Sequence, residues 1–199
     1  MAELLLKHPS NAAALLLLLL TVLSLTSSLA TAESSSFSQN LSPSTLGLNK
    51  PEKLSHLHFY FHDIVAGKNA TAVRVAQANT TTATSPFGVV VVFDDPLTVS
   101  PDMGSKHVGE AQGIYAFASQ TDSSLLVAYN FAFTEGEYNG SSLTVLGRNA
   151  VASAVREMPV VGGSGTFRFA RGYAEARTQS YDLKTGNTVD EYDVYVLHY

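Results

Sequence analysis

Asp63 is the side chain with the clearest potential for acid–base chemistry. It lies in the stretch 57–65, Leu-His-Phe-Tyr-Phe-His-Asp-Ile-Val, which is aromatic and β-branched enough to predict a strand that ends near Gly67. Because side chains alternate across a strand, Phe59, Phe61 and Asp63 share one face. If that face points into a barrel or sandwich, burial would raise the pKa of Asp63 and let it hold or donate a proton near neutrality. The alternative is an aspartate that only caps the turn.

Arg156 is the second candidate. It follows the apolar run 150–155, so its guanidinium group can lie inside the fold, where a charge needs a partner. In that position it could hold a phenolate or carbonyl oxygen. The alternative is a surface arginine paired with the adjacent Glu157 or with Glu175.

The histidines and the glycine-rich segment are weaker candidates. His58 and His62 share a strand face, but Tyr60 lies between them and no third ligand has suitable spacing, so we predict no metal site. His56 is expected to be exposed or hydrogen-bonded like the other two. The segment 162–165, Gly-Gly-Ser-Gly, lacks the Lys-Ser/Thr ending and the helix of a phosphate loop, which favours a tight turn.

Other common catalytic arrangements are absent from the sequence. The pair Asp94-Asp95 precedes Pro96 and is typical of turn chemistry at a strand end. There is no G-x-S-x-G elbow and no Ser/His/Asp set with recognisable spacing. The chain has no cysteine, which excludes thiol catalysis, thiolate metal sites and haem-thiolate chemistry. We expect no cofactor.

These candidates lie on a succession of short strands. Turn signals such as Asn139-Gly140 and 185–187 separate eight or nine predicted strands, and the only predicted helical turn is near 149–154. The valine run 87–93 is predicted to end at Asp94, and 99–109 to form a long loop. Regular hairpins without helices predict an all-β fold, an antiparallel barrel or sandwich. An eight-stranded barrel can hold one small ligand, and the chain's nine Tyr and ten Phe would suit either a flat aromatic guest or an ordinary core.

The N-terminus predicts secretion. Residues 1–32 read as a signal peptide, with Lys7, the apolar run 12–29 and an Ala-Thr-Ala cleavage site; a membrane anchor is the alternative. Residues 33–53 predict a flexible arm rich in Ser, Asn and Pro, and residues 54–199 one domain. We therefore expect an extracellular protein with no membrane attachment after cleavage.

Charge and sequons fit that location. The net charge is −5 and basic residues are outnumbered, so nucleic acid and anionic membranes are poor partners. A secreted chain without disulfides must depend on its core or on an oligomer interface. Four N-x-S/T sequons predict surface glycosylation, at Asn40, Asn69, Asn79 and Asn139.

Several motifs in a fixed order resemble the plant dirigent proteins and together span 54–199. They are FHDI at 61–64, FDDP at 93–96, AQGIY at 111–115, VVGGSGTF at 160–167 and FARG at 169–172. The resemblance implies an eight-stranded antiparallel β-barrel of the dirigent or allene oxide cyclase type, secreted to the apoplast, glycosylated and assembled as a dimer or trimer. It implies a pocket for phenoxy radicals or quinone methides of the phenylpropanoid pathway, with a separate oxidase that supplies radicals for coupling.

The resemblance also assigns site residues. Asp63 matches the family's pocket aspartate, Arg156 its pocket arginine and Tyr115 a pocket aromatic. Asn149 stands where lignan-forming members have a second pocket aspartate, which puts two-carboxylate chemistry in doubt. The run 147–151 and the absence of cysteine are more similar to the branch that holds the pterocarpan synthases.

We therefore predict that a planar phenolic intermediate binds against Phe59, Phe61, Tyr115 and Asn149. Asp63 would act as general acid or base and Arg156 would stabilise a developing phenolate. The protein would direct the stereochemistry of coupling or cyclisation in lignan or isoflavonoid biosynthesis. The alternatives are a pterocarpan-synthase-like dehydratase (a carbon–oxygen lyase) and a non-catalytic binding protein of the cell wall.

Overall fold

The computed structural model describes residues 37–82 and 84–199. The predicted signal peptide and residues 33–36 of the predicted arm lie outside the described residues. The chain divides into two units, one ending at Ser42 and one starting at Pro43. In the first unit, the described residues 37–42 are exposed. No helix in the described ranges is long and apolar enough to cross a membrane.

Nine antiparallel strands make up the second unit. They are β1 (Lys53–Asp63), β2 (Ala72–Ala76), β3 (Val90–Thr98), β4 (His107–Phe117), β5 (Ser124–Phe133), β6 (Ser142–Ala150), β7 (Arg156–Ser164), β8 (Arg171–Tyr181) and β9 (Thr188–His198). Their order in the sheet is β1-β9-β8-β7-β6-β5-β4-β3-β2.

The sheet closes because β1 and β2 share one edge of β3. Strand β2 pairs with the first half of β3, from Ala72 opposite Phe93. Strand β1 pairs with its second half, through Phe61 opposite Leu97. The result is a closed eight-stranded antiparallel barrel, which confirms the predicted fold class.

Strand β3 does not end at Asp94, so that prediction was wrong. It continues to Thr98, and Pro96 lies inside it opposite Glu110 of β4. Proline lacks an N–H group and is tolerated in a strand only where no partner needs that donor. Pro96 meets this condition because it falls between the pairing of β3 with β2, which ends at Phe93, and its pairing with β1, which starts at Leu97.

Three further predictions from the sequence, each about a short segment, are wrong. The helical turn expected near 149–154 is absent, since β6 runs to Ala150 and a turn leads into β7. The glycine-rich segment 162–165 is no sharp break, because β7 continues to Ser164. The loop expected over 99–109 ends earlier, where β4 starts at His107. Short 3₁₀ helices occur instead at Pro43–Leu46, Gly136–Tyr138 and Gly165–Phe167.

One end of the barrel interior is filled by aromatic rings, and we call it the packed half. The ring of Phe59 lies 4.9 Å from that of Phe131 and 6.1 Å from that of Phe133. Phe133 continues the contact to Phe167 at 5.8 Å, and Phe167 reaches His198 at 5.1 Å. These rings are buried and leave no room for a guest. Burial of this much apolar surface is the main source of stability of the barrel.

The other end, the hollow half, contains a cavity of about 790 Å³. Small and β-branched inward side chains line much of its wall, among them Ala72, Val89, Val91 and Val127. Such side chains cover the strands but do not reach the barrel axis. The interior at this end therefore stays open.

Candidate functional site

The cavity of the hollow half has the size of a small-molecule site. Pockets of about 300 to 1,000 Å³ commonly bury most of a drug-sized ligand. The rings that line it include those of Phe61, Phe93, Tyr115 and Phe117. The charged lining residues are Asp63, Arg74, Arg156 and Asp190. An apolar wall with a few converging polar groups is typical of a binding site for an aromatic molecule.

Asp63 occupies the last position of β1 and faces this cavity. Its Oδ2 accepts a hydrogen bond from the Tyr115 hydroxyl at 3.5 Å, and its Oδ1 is buried with no partner among the described residues. The pKa of Asp63 is raised to about 6, mainly by burial and also by the charge of Asp190, while the Tyr115 hydrogen bond opposes the shift. The carboxyl group is therefore partly protonated near neutrality. The turn-cap alternative receives no support, because no backbone hydrogen bond to its carboxylate is seen among the described residues.

Arg156 is buried, with 4% of its surface exposed. Its Nη2 lies 2.9 Å from Asp190 Oδ1, and its Nη1 donates to the Thr178 hydroxyl at 2.6 Å. Thr178 in turn donates to Asp190 at 2.8 Å, which closes a three-membered polar cluster. The Nε of Arg156 has no hydrogen-bond partner within residues 37–82 and 84–199. The surface alternative was wrong, since Glu175 pairs with Arg177 instead.

Asn149 lies in the same wall, on β6 opposite Leu125 of β5. Only 7% of its surface is exposed, yet its Oδ1 has no hydrogen-bond partner in the part of the chain that the structure describes. A buried acceptor without a partner costs stability. A ligand that donates a hydrogen bond to Asn149 Oδ1 would remove this cost.

Phe59 is not placed where the sequence predicted. It shares the inward face with Phe61 and Asp63, but it does not line the cavity. Successive inward positions are about 7 Å apart along a strand, so Phe59 lies one layer deeper than Phe61. At that depth the rings of Phe131 and Phe133 fill the barrel. Phe59 is therefore a core residue of the packed half.

A buried carboxyl group that the sequence analysis dismissed is Asp95. It lies within β3, is fully buried and accepts a short hydrogen bond from Thr71 at Oδ1, whereas its Oδ2 has no partner. The pKa of Asp95 is raised to about 8, mainly by burial. The hydrogen bond from Thr71 opposes this shift, and the charge of Asp63 contributes to it. Alternation from Phe93 would have placed Asp95 inside, but only if the strand continued past Pro96.

A pair of tyrosines at the base of the cavity was also missed. The hydroxyl groups of Tyr129 and Tyr192 lie 3.1 Å apart, and both residues line the cavity. Burial raises the pKa of both phenols well above the ordinary value. They therefore present neutral hydroxyl groups. No local sequence pattern indicates this pair, because the two residues are 63 positions apart.

The histidines do not form a metal site. His56 and His58 lie on the outer surface, each 2.8 Å from a carboxylate, of Asp193 and Glu191 respectively. His62 is buried away from them and bonds to the Thr98 hydroxyl. Within residues 37–82 and 84–199, no group of three or more His, Cys, Asp or Glu side chains could hold a metal ion.

All four sequon asparagines are exposed. They are Asn40, Asn69, Asn79 and Asn139. Exposure is the condition that a glycan requires, and occupancy of each sequon stays a prediction.

Comparisons with known proteins complete the description. The family model described as Dirigent-like protein matches residues 54–197. The chain is 49% identical to dirigent protein 21 of Arabidopsis thaliana over 92% of this chain and 97% of that one. It is 52% identical to pterocarpan synthase 1 of Glycyrrhiza echinata over 81% and 86% of the two chains. Among solved structures, the pterocarpan synthase dirigent protein GePTS1 matches with a TM-score of 0.72 and 51% identity, over 75% of this chain and 87% of that one.

Proposed function

This chain belongs to the dirigent protein family, and from that premise we propose that it binds a phenoxy radical or quinone methide in the hollow half and imparts stereoselectivity on its coupling or cyclisation. One observation carries the proposal: an apolar, ring-lined cavity of about 790 Å³ has in its wall the partly protonated carboxyl group of Asp63, with a free oxygen. A structural barrel would be expected to fill this volume with its own side chains.

Orientation is the first contribution of the site. A planar phenol between Phe61, Phe93 and Tyr115 can expose only one face to attack, because the wall covers the other. Asn149 Oδ1 and the free oxygen of Asp63 would accept hydrogen bonds from hydroxyl groups of the guest. Holding reactants in one geometry supplies a large share of many catalytic effects and sets the handedness of the product.

Proton transfer is the second contribution. As an acid, Asp63 would give its proton to a leaving hydroxyl group; the carbon–oxygen bond breaks, water leaves, and loss of the phenolic proton yields a quinone methide. A second phenol oxygen of the guest then attacks the methide carbon and gives its proton to the Asp63 carboxylate. The ring oxygen of the methide takes up a proton and becomes a phenol again, so the balance is the loss of one water.

Arg156 would stabilise the methide oxygen while it carries negative charge. Asp190 already neutralises much of the guanidinium charge, at 2.9 Å, so the free Nε–H is the group that remains to donate. The role is therefore one of a hydrogen-bond donor held rigidly by Asp190 and Thr178 rather than of an unpaired cation.

A second candidate within the same scheme is dehydration of an isoflavanol. The acidic form of Asp63 near neutrality supports it, and Asn149 supplies no second carboxylate for two-radical coupling. The similarity to proteins named pterocarpan synthases also supports it. In this case the protein would be a carbon–oxygen lyase that needs no oxidase. A barrel that binds phenols without turnover is the remaining outcome.

The test is to incubate the protein with an isoflavanol and, separately, with coniferyl alcohol and an external oxidase, and to analyse the products by chiral chromatography. We expect one enantiomer in excess in at least one reaction. For dehydration, the rate should fall as pH rises through about 6, because Asp63 then loses the proton that it must donate.

Asp63→Asn should lower the dehydration rate by about 100-fold or more, as expected for loss of a general acid, or abolish the enantiomeric excess of the coupling product. Asp94→Asn, which removes an exposed carboxylate, is the matched control and should retain activity. Full activity in the Asp63 variant would remove the acid role. Racemic product in both reactions with the wild-type protein would remove the function.

Assembly is part of the proposal. Directly paired outward residues form an apolar row across β2 to β6, namely Val73, Val92, Ile114, Ala128 and Leu146. Exposed apolar rows of this kind mark interaction surfaces, and we assign this one to a second copy of the chain in a dimer or trimer. Sedimentation analysis should show an oligomer that Ile114→Glu dissociates; a wild-type monomer would contradict the assignment.

Secretion to the apoplast and glycosylation complete the proposal. The N-terminal residues and the four exposed sequons support both. Expression of the full chain in a plant cell should yield extracellular protein that begins near Glu33, with a mass that falls on deglycosylation. Retention inside the cell would contradict it.

A further inference from the structure

Arg74 is a charged residue of the cavity wall that the scheme above does not use. It lies on β2 opposite Val91 of β3, and Val91 is buried inside the barrel. The paired positions of a sheet face the same side, so Arg74 also points inward. Its outer part is exposed, and it lines the cavity. It therefore stands where the cavity opens to solvent.

A β-bulge accompanies this placement. Arg74 pairs with Val91 and Ala76 with Val90, so one extra residue is inserted in β2 immediately after Arg74. Bulges redirect side chains and are common next to binding sites. The bulge directly follows Arg74, close to the end of β2 at Ala76.

The charge of Arg74 has no carboxylate partner among the described residues. Its Nη1 donates to the neutral amide oxygen of Gln77 at 2.8 Å. Arg156, the other cation of the cavity, is already paired with Asp190 at 2.9 Å. The cation of the cavity without a carboxylate contact among the described residues is therefore Arg74, at the cavity mouth.

Asp63 supplies an acidic group to the same cavity. Among the described residues its Oδ1 has no partner, and its Oδ2 accepts a hydrogen bond from the Tyr115 hydroxyl at 3.5 Å. Tyr115 and Arg74 pair with Val91 from its two sides, and the charges of both Asp63 and Arg74 act on Tyr115. Apolar side chains such as Val89 and Val91 form the wall near Arg74. A matching guest is flat and apolar, with a hydroxyl group for Asp63 and an anionic oxygen for Arg74.

We propose that Arg74 is a specificity-determining residue that binds a carboxylate of the phenolic guest, so that the cavity favours phenolic acids over the corresponding alcohols. The inference rests on the proposed function, because it assumes a phenol in the hollow half. It deepens that function by naming the substrate class. Arginine suits the role because its planar fork matches both carboxylate oxygens.

The test uses two probes that differ at one group: ferulate, which carries a carboxylate, and coniferyl alcohol, which carries a hydroxymethyl group on the same ring and side chain. Dissociation constants would be measured by isothermal titration calorimetry on the mature protein at pH 7. We expect ferulate to bind more tightly by about three- to tenfold, a modest ratio because Arg74 is partly solvated. The preference should shrink as ionic strength rises.

Three variants complete the experiment. Arg74→Gln should abolish the preference and change the affinity for coniferyl alcohol by less than about twofold, because the alcohol makes no ionic contact. Arg74→Lys should keep part of the preference. Arg168→Gln removes an exposed cation just after the 3₁₀ helix Gly165–Phe167 of the packed half and should leave both affinities unchanged.

The outcomes separate the two levels of the argument. Equal binding of both probes to the wild-type protein, or an unchanged preference in Arg74→Gln, would overturn the role of Arg74 and leave the proposed function intact. A loss of preference in Arg168→Gln as large as in Arg74→Gln would show a general charge effect and would also overturn the inference. If neither probe binds, both the inference and the phenolic site are wrong.

Discussion

The packed half and the hollow half are built by the same strands. Strand β5 places Phe131 and Phe133 in the packed half and Leu125 and Val127 in the hollow half, with the same alternation throughout. The difference lies in side-chain size. Rings from several strands meet across the barrel at one end, whereas at the other end small and branched side chains such as Val89, Val91 and Val127 stand between the rings of the wall and leave the centre open. Barrel geometry sets a bore of fixed width, and the side chains decide whether it is filled.

The two halves also differ in how their buried polar atoms are satisfied. Among the described residues, buried atoms without hydrogen-bond partners lie on three cavity residues, Asp63, Asn149 and Arg156, and on Asp95, whose carboxyl group is electrostatically coupled to Asp63. In the packed half, His198 has one such nitrogen, but its other ring nitrogen bonds to Ser55 at 2.8 Å. Unpartnered buried groups cost free energy of folding. The molecule thus concentrates its stability at one end and tolerates destabilising groups at the end that we propose binds a ligand.

The largest expected effect tests the packed half. Phe131→Ala removes a fully buried ring in contact with Phe59, Tyr129 and Tyr192, and should lower the free energy of unfolding by about 3–5 kcal/mol. Phe117→Ala, the matched change in the half-buried wall of the cavity, should cost only about 1 kcal/mol. Urea unfolding at pH 7 measures both.

Equal losses in these two variants would break the comparison between the halves. If Phe131→Ala does not fold, Phe131→Leu provides the same test, with an expected loss of about 1–2 kcal/mol.

A pH-dependent effect comes next and concerns Asp95. Its carboxyl group has a pKa of about 8 when folded and an ordinary value of 3.8 when unfolded, so the folded state holds its proton over this range. Its stabilising contribution is complete below about pH 4 and is lost as pH rises to about 8, at ~1.4 kcal/mol per pH unit. Asp95→Asn should remove this slope between pH 6 and 8, above the range in which Asp63 titrates.

Asp94→Asn, at the exposed neighbouring position, is the control for this measurement. Urea unfolding of the three proteins from pH 5 to pH 9 gives the slopes. Parallel curves for wild type and Asp95→Asn would show that the buried carboxyl group does not weaken this part of the barrel.

The smallest expected effect concerns Asn149. Asn149→Leu replaces a buried oxygen without a partner by a side chain of similar size, so the free energy of unfolding should stay the same or rise by about 1 kcal/mol. Leu143→Asn makes the reverse change at a fully buried position of the same strand and should lower the free energy of unfolding by about 3 kcal/mol. A large loss in Asn149→Leu would show that the amide is structural.

Much of the architecture could be predicted because strand alternation is a local property. The placement of Phe61 and Asp63 on one face followed from the pattern of 57–65, and the structure shows that this face points inward. The absence of helices and the regular turns predicted an antiparallel barrel or sandwich, and the family resemblance specified the barrel. The family resemblance was carried by short ordered motifs, and the match over 54–197 confirms it.

The errors arose where the deciding contact is distant in the sequence. Phe59 was expected in the cavity because alternation specifies a face and not a depth. Asp95 was taken for a turn residue because Pro96 interrupts the pattern, and the gap between β1 and β2 that accommodates this proline is visible only in the closed sheet. The pairing of Arg156 with Asp190 spans two strands that are not neighbours in the chain.

The sequence by itself therefore determined the alternating faces, most of the turns and the sharing of one face by Phe61 and Asp63, since each depends on residues a few positions apart. Only the tertiary structure decided which layer of the barrel is filled and which is empty. It also decided which charges meet a partner, because closure of the sheet brings together side chains that no local spacing relates. Hence Arg156 is neutralised by Asp190, whereas Arg74 meets no carboxylate within the part of the chain that the structure describes.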